Sequence, residues 1–483
     1  MSNALQSPTP KRSQVSRACR RCRELRRACS DFRPCKRCID QNLADQCLAF
    51  PGPVQLKASG RAAQLSRPPS ETTAPSASAA PDHQSLPGQP CTQLQPPPEA
   101  LVDYCIGRFF DKLFPTIPVL TPEYIAHLKA EASSPISGNA TEAQNLLSAV
   151  CALILIQVED SEDLFPHGPA GQSPSSYGTA LFERTVEASR QVRPRATPSL
   201  EQCLLTFFIY ACHAALLHHS QAFYHLREAT TLWLLLKSRT DEDQLPDFTS
   251  LADRLFWVLL VSERSHAIRY HRPTTLVISP DSPPLEADPL LVGYTSLASL
   301  FRPLNSSFFS LLNEEQPATA NASELLADVE RAITSALPAT EALHDTQKAN
   351  LRVTQLWLFI IVWKLRLHLG HLQPESSRHA LTYQHPLAVV RELTLSTRDL
   401  PIQSIMVHGV GLTEKLFDIA STVVDVLARV PVTPSPSVGG TIPDHDLDYL
   451  RRLIIRLPGG SAIYDKLLES HIEQALSQQD GHD

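Results

Sequence analysis

A chain of 483 residues with 43% hydrophobic content can bury a large core, and its length suits about three domains or one large domain with appendages. The net charge of −7 conceals a division: residues 1–47 hold eleven Lys/Arg against four Asp/Glu, a head of +7 on a body of −14. Such a basic head marks a nucleic-acid contact confined to one end. No HExxH, phosphate-binding Gly-Lys loop, GxGxxG or Gly-x-Ser-x-Gly occurs, so an enzyme reading has no motif to stand on. No apolar signal region precedes Cys19, and no segment reaches the ~18 apolar residues of a membrane helix, so no membrane partner is expected. The longest candidate, Cys203 to Leu217, contains His213 and reads as a buried core helix.

Residues 1–16 are polar and basic and are expected to be disordered. Lys11-Arg12, Arg17 and Arg20-Arg21 suit a nuclear-import signal or extra phosphate contacts, and the two roles are compatible. Residues 17–50 hold Cys19, Cys22, Cys29, Cys35, Cys38 and Cys47, in the spacing C-x2-C-x6-C-x5-C-x2-C-x8-C. In a reducing compartment, dense cysteines with CxxC pairs point to zinc rather than a disulfide framework. Tetrahedral zinc takes about four ligands, so two Zn2+ on six sulfurs require two bridging thiolates. One four-cysteine zinc with two spare thiols is the alternative, and it leaves one CxxC half without a role.

A short helix over the first half would turn Cys19 and Cys22 toward metal and project Arg20, Arg21, Arg23, Arg26 and Arg27 on the other faces. Lys36 and Arg37 extend the basic surface in the second half. Arginine can contact guanine bidentately in the major groove, while most of these side chains would meet phosphates, which position without specifying. The expected partner is therefore double-stranded promoter DNA. A zinc-stapled scaffold that acts by protein contact alone is the reading from another class.

Residues 51–100 hold eleven prolines, six serines and three glycines, which reads as a linker. Pro51 and Pro53 follow the last cysteine closely and oppose a coiled-coil helix there. From about residue 101 to 475 the pattern turns helical. Apolar residues recur at three- and four-residue spacing in 101–114, 144–158, 177–192, 200–217, 221–237, 251–270, 351–371 and 409–429. The expectation is an all-α domain of stacked antiparallel helices, with a less ordered stretch around 281–325 and no internal repeat. Arg227, Glu228, Arg254, Glu263 and Arg264 lie among apolar helical positions; ion pairs between helices are the favoured reading over a small-molecule inducer pocket. His218-His219, His225, His266, His271, His368 and His371 read as surface or core residues.

The cysteine stretch resembles the fungal zinc binuclear cluster family, the Gal4-like transcription factors. Arg33-Pro34-Cys35-Lys36-Arg37-Cys38 carries the likeness, with proline in the turn between the halves. The resemblance implies that Cys19 and Cys35 bridge. One zinc would take Cys19, Cys22, Cys29 and Cys35, and the other Cys35, Cys38, Cys47 and Cys19. Arg23 and Arg26 match the family's basic row; Leu25 and Ala28 depart from it, so the implied base contact narrows to Arg26.

The body resembles the middle regulatory domain of the same factors, through the run Arg108 to Leu120, the run Phe223 to Leu232, Arg254-Leu255-Phe256-Trp257, Glu263-Arg264, His271-Arg272-Pro273, Gly411 to Ala420 and Leu457-Pro458-Gly459-Gly460. The branch it looks most like holds maltose and amylase regulators and natural-product cluster regulators. The resemblance implies a nuclear, pathway-specific activator, most naturally of a fungal secondary-metabolite gene cluster. Control of sugar catabolism is the alternative. It also implies contact with the transcription machinery and a homodimer through the helical domain.

Overall fold

The computed structural model describes residues 96–134, 139–158, 167, 171–191, 198–238, 246–285, 288–315, 321–337, 343–430 and 443–479. All belong to one unit, Leu94–Asp483. The expected disordered head, zinc module and nearly all of the linker lie outside the described residues. The chain forms α1 (Glu99–Lys112), α2 (Pro122–Ser133), α3 (Ala140–Leu153), α4 (Pro174–Gln191), α5 (Leu200–Ala215) and α6 (His219–Lys237). There follow α7 (Pro246–Tyr270), α8 (Val292–Phe301), α9 (Ser306–Leu312), α10 (Ala322–Ser335) and α11 (Asp345–His368). The last elements are α12 (His385–Thr397), α13 (Ile402–Met406), α14 (Val410–Arg429), α15 (Pro443–Ile455) and α16 (Asp465–Gln479). Among the described residues there is no strand; the sole β-type pairing is an isolated bridge between Gln373 and Thr382.

Local chemistry starts several helices. Thr121 accepts from Tyr124 N at 3.2 Å with Pro122 as the first helical residue, and Ser199 accepts from Gln202 N at 3.2 Å. Each such cap stabilises by about 1 kcal/mol. The described residues of the stretch expected to be less ordered, 281–325, hold α8 and α9, because Asn305 accepts from Phe308 N at 3.1 Å and Phe301 and Phe308 are buried completely. These helices are too short for periodicity to show them.

One buried cluster runs through the unit, from Leu101 on α1 to Leu468 on α16. At its centre lie α3, α5, α11 and α14; α5 packs along α3 and α6, and α11 along α10, α12 and α14. The apolar segment limit expected from sequence is exceeded once: α3 with its π-helical continuation, Ala140–Val158, is long and apolar enough to cross a membrane. It is 72% buried inside the fold, which makes it a core helix. The Leu457-Pro458-Gly459-Gly460 turn has a steric cause. Gly459 sits at φ +73°, and a Cβ on Gly460 would lie 1.7 Å from the Ile454 carbonyl oxygen.

Candidate functional site

The residues expected to hold zinc (Cys19, Cys22, Cys29, Cys35, Cys38, Cys47) and to meet DNA (Arg20, Arg21, Arg23, Arg26, Arg27, Lys36, Arg37) lie outside the described residues. Among the described residues no group of three or more His, Cys, Asp or Glu is arranged to hold a metal ion. Cys105, Cys151, Cys203 and Cys212 are buried free thiols in the core.

Arg227 and Glu263, two of the charged residues singled out on α6 and α7, tie elements of the fold together. Arg227 pairs with Glu263 at 2.7 Å, and Glu263 also accepts from Thr275 N and Leu276 N, both at 2.8 Å. That carboxylate therefore ties α6 to the chain leaving α7. Arg264 departs from the expected ion pairing. Its Nη1 donates to the Phe301 carbonyl at 2.6 Å, at the C-terminus of α8, where a cation meets the negative end of the helix dipole. Burial pulls its pKa down to about 10, with Glu263 acting in the opposite sense. Glu228 is bound on the surface by His225 at 3.1 Å.

The concave site lies elsewhere, in a cavity of about 260 Å³ bounded by α5, α6, α7, α8, α11 and the start of α14. Its walls are largely aromatic and aliphatic: Phe207, Tyr210, Trp257, Val261, Leu297 and Trp357. A linked set of charged and hydroxyl groups includes Arg269, Tyr270 and Glu414 of the lining. Glu414 Oε1 accepts from Tyr270 OH at 2.9 Å and Tyr464 OH at 2.8 Å, and Oε2 pairs with Arg269 Nε at 3.3 Å. Arg269 Nη1 reaches Asp418 at 2.5 Å, and Trp357 Nε1 donates to the same carboxylate at 3.0 Å. Because the Tyr270 proton is committed to Glu414, His219 Nδ1, 2.9 Å from Tyr270 OH, must be the donor there.

The charge states follow from these contacts. Burial is the largest influence on Glu414 and opposes its ionisation, but Arg269, His219 and the hydrogen bonds from Tyr464 and Tyr270 together outweigh it and hold the carboxyl below its ordinary pKa. Burial raises the Tyr270 and Tyr464 hydroxyls, and the Glu414 charge raises them further, so both remain protonated donors. His266 and His408 line the same cavity, and burial pulls each down to about 4, so both are neutral at pH 7. His408 Nε2 donates to the Thr346 carbonyl at 2.8 Å. His266 is held between Phe223, its ring centroid 5.4 Å away, and Tyr270 at 4.5 Å, and its Nδ1 is buried without a hydrogen-bond partner.

Lys415 differs from the other charges of this cluster. Its Nζ donates to Thr354 Oγ1 at 2.9 Å and stands 5.4 Å from the Trp357 ring and 5.8 Å from the Phe301 ring. Burial pulls its pKa down to about 8, so the ammonium form still predominates at pH 7. Within the run Gly411 to Ala420 the sequence placed Glu414 and Lys415 side by side, but nothing in their spacing reveals the cavity. Its walls come from six helices spread between Leu113 and Lys415.

No family model matches the chain, and no solved structure matches it. It is 22% identical over 435 residues to the maltose fermentation regulatory protein MAL13 of Saccharomyces cerevisiae, covering 87% of this chain and 85% of that protein. It is 22% identical to the probable sucrose utilization protein SUC1 of Candida albicans, over 50% of this chain and 49% of the relative. With the respiratory transcription factor ZNF1 of S. cerevisiae it shares 20% identity over 68% of this chain and 70% of that one. The chain is thus similar to yeast regulators, among them a named transcription factor, and not to enzymes.

Proposed function

We propose that this protein is a nuclear, sequence-specific DNA-binding regulator of transcription whose DNA-binding module is the two-zinc cluster of Cys19, Cys22, Cys29, Cys35, Cys38 and Cys47. The observation that carries it is this six-cysteine, arginine-rich head on a chain whose relatives are regulators. Arg20, Arg21, Arg23, Arg26, Arg27, Lys36 and Arg37 are the DNA-facing cations, with Arg26 the base-reading one. Its partners are promoter DNA, the transcription machinery and a second copy met through the helical domain. The domain plan assigned to it is a head over 1–16, the zinc module over 17–50, a linker over 51–100 and a helical regulatory domain over 101–475.

The pathway we assign is biosynthetic: activation of a contiguous secondary-metabolite gene cluster. The largely apolar walls of the cavity support it, since a sugar would call for a denser set of polar partners. Sugar utilisation is the second reading, favoured by the names of the maltose and sucrose relatives. Transcript profiling after deletion of the gene separates them. Silencing of one contiguous biosynthetic cluster is the expected result. Failed growth on maltose or starch with every such cluster unaffected would transfer the assignment to sugar control.

A further inference from the structure

The cavity is lined by one lysine, Lys415, that forms no ion pair among the described residues. Arg269 is committed to Glu414 and Asp418, and those carboxylates are in turn occupied by Tyr270, Tyr464 and Trp357. Lys415 shows no ion pair among the described residues; its one hydrogen bond is to Thr354 Oγ1, which donates onward to Asn350 Oδ1 at 3.3 Å. An ammonium presents three donors, so Lys415 retains two beyond Thr354. The Glu414 charge acts on Lys415 only from a distance and no carboxylate contacts its Nζ, so a buried ammonium with donors to spare can still take an incoming anion.

The space beside it has a definite size and character. A volume of about 260 Å³ holds roughly nine waters at the density of the liquid, or a molecule of roughly a dozen non-hydrogen atoms. Trp257, Val261, Leu297 and Trp357 offer that molecule an apolar bed, while His266, with its unpartnered Nδ1, adds a polar group to the same lining. Gly411 is solvent-exposed and lines the cavity, so the space reaches the surface there. We infer that this cavity is a binding site for a small amphipathic monocarboxylic acid, its carboxylate on Lys415 and its apolar body against Trp257 and Trp357.

Treating the bound acid as an effector rests on the proposed transcriptional role; the binding itself does not. The test uses full-length, zinc-loaded protein and three probe acids: phenylacetate, 3-phenylpropanoate and octanoate. Each is compared by calorimetry with its uncharged primary amide, and maltose is run beside them. At least one acid is expected to bind about tenfold tighter than its amide or better, the usual worth of a hydrogen bond to a charged group. Lys415→Met should erase that preference. Gly411→Trp should weaken every acid without unfolding the protein, because a Cβ there meets no heavy atom within 4 Å and the backbone is left unstrained. If Lys415→Met fails to fold, Gly411→Trp decides alone. Acids and amides binding alike, no acid binding at all, maltose binding tighter than every acid, or acid binding untouched by Gly411→Trp would each overturn the inference. Promoter retention is measured on the same preparation. Its loss with acid binding intact would count against the transcriptional role alone, and the reverse outcome against the acid site alone.

Discussion

Glu414 shows how one buried carboxylate can organise several helices. It joins Arg269 and Tyr270 from α7 to Tyr464 ahead of α16, while its neighbour on α14, Asp418, takes Trp357 from α11. The side chains of both Glu414 and Arg269 are over four-fifths buried, so removing one partner strands the other in a low dielectric. Glu414→Ala should therefore destabilise the helical unit by about 3 kcal/mol, seen as a lower urea midpoint at unchanged slope. A midpoint within error of the parent would show that Asp418 alone satisfies Arg269. The histidines make a second prediction at this scale. In His266, His408 and His213 burial is the leading cause of a fall from 6.5 to about 4. Their folded pKa lies below the unfolded value, so the unfolded chain binds protons that the folded one refuses. Stability should then fall as pH drops from 6.5 toward about 4, with no contribution from these groups above that window. His408→Gln keeps a donor for the Thr346 carbonyl and should flatten that limb in a series of Tm values against pH; an unchanged limb would remove His408 from the explanation.

At the scale of the element, periodicity in the sequence reveals helices when they are long and face a core. The runs 200–217, 221–237, 251–270, 351–371 and 409–429 correspond to α5, α6, α7, α11 and α14. The helices missed are α2, α8, α9, α10, α12, α13, α15 and α16. Most are short or carry only a narrow apolar stripe, such as Leu326, Val329 and Ile333 on α10, and tertiary packing rather than pattern defines them. Glycine chemistry at two helix starts can be tested in opposite directions. Gly460→Ala forces a methyl group onto the Ile454 carbonyl and should cost about 1–3 kcal/mol or more. Gly411→Ala, in the first turn of α14 with open space around its Cβ, should gain about 0.5–1 kcal/mol from reduced unfolded-state entropy. Thermal melts of the two variants check both signs, and a stabilising Gly460→Ala would contradict the described turn.

For the whole molecule, the sequence was most informative about its head and least about its centre. Cys19 to Cys47 and the intervening arginines lie within one short stretch, so spacing and charge alone carry the zinc and DNA proposal, which falls outside the described residues. The cavity is the opposite case, since Phe207, Trp257, Trp357 and Lys415 become neighbours only once distant helices pack. Arg227, Glu263 and Arg264 stood out in the sequence because they are charges among apolar residues, yet they join helices to each other and to backbone. The regulator assignment couples the two ends: a metal-built reader of DNA and a helical body with a cavity. Its most direct test is the retention of promoter DNA by the full-length protein, measured across salt concentrations with and without a zinc chelator and for Cys35→Ala. Binding should fall steeply with salt as counterions displaced from phosphates return. It should vanish on chelation, and it should be absent in Cys35→Ala, where the loss of one shared sulfur disrupts both metal sites. DNA binding that survives chelation and the loss of Cys35, or zinc-loaded protein that retains no promoter DNA at low salt, would contradict it.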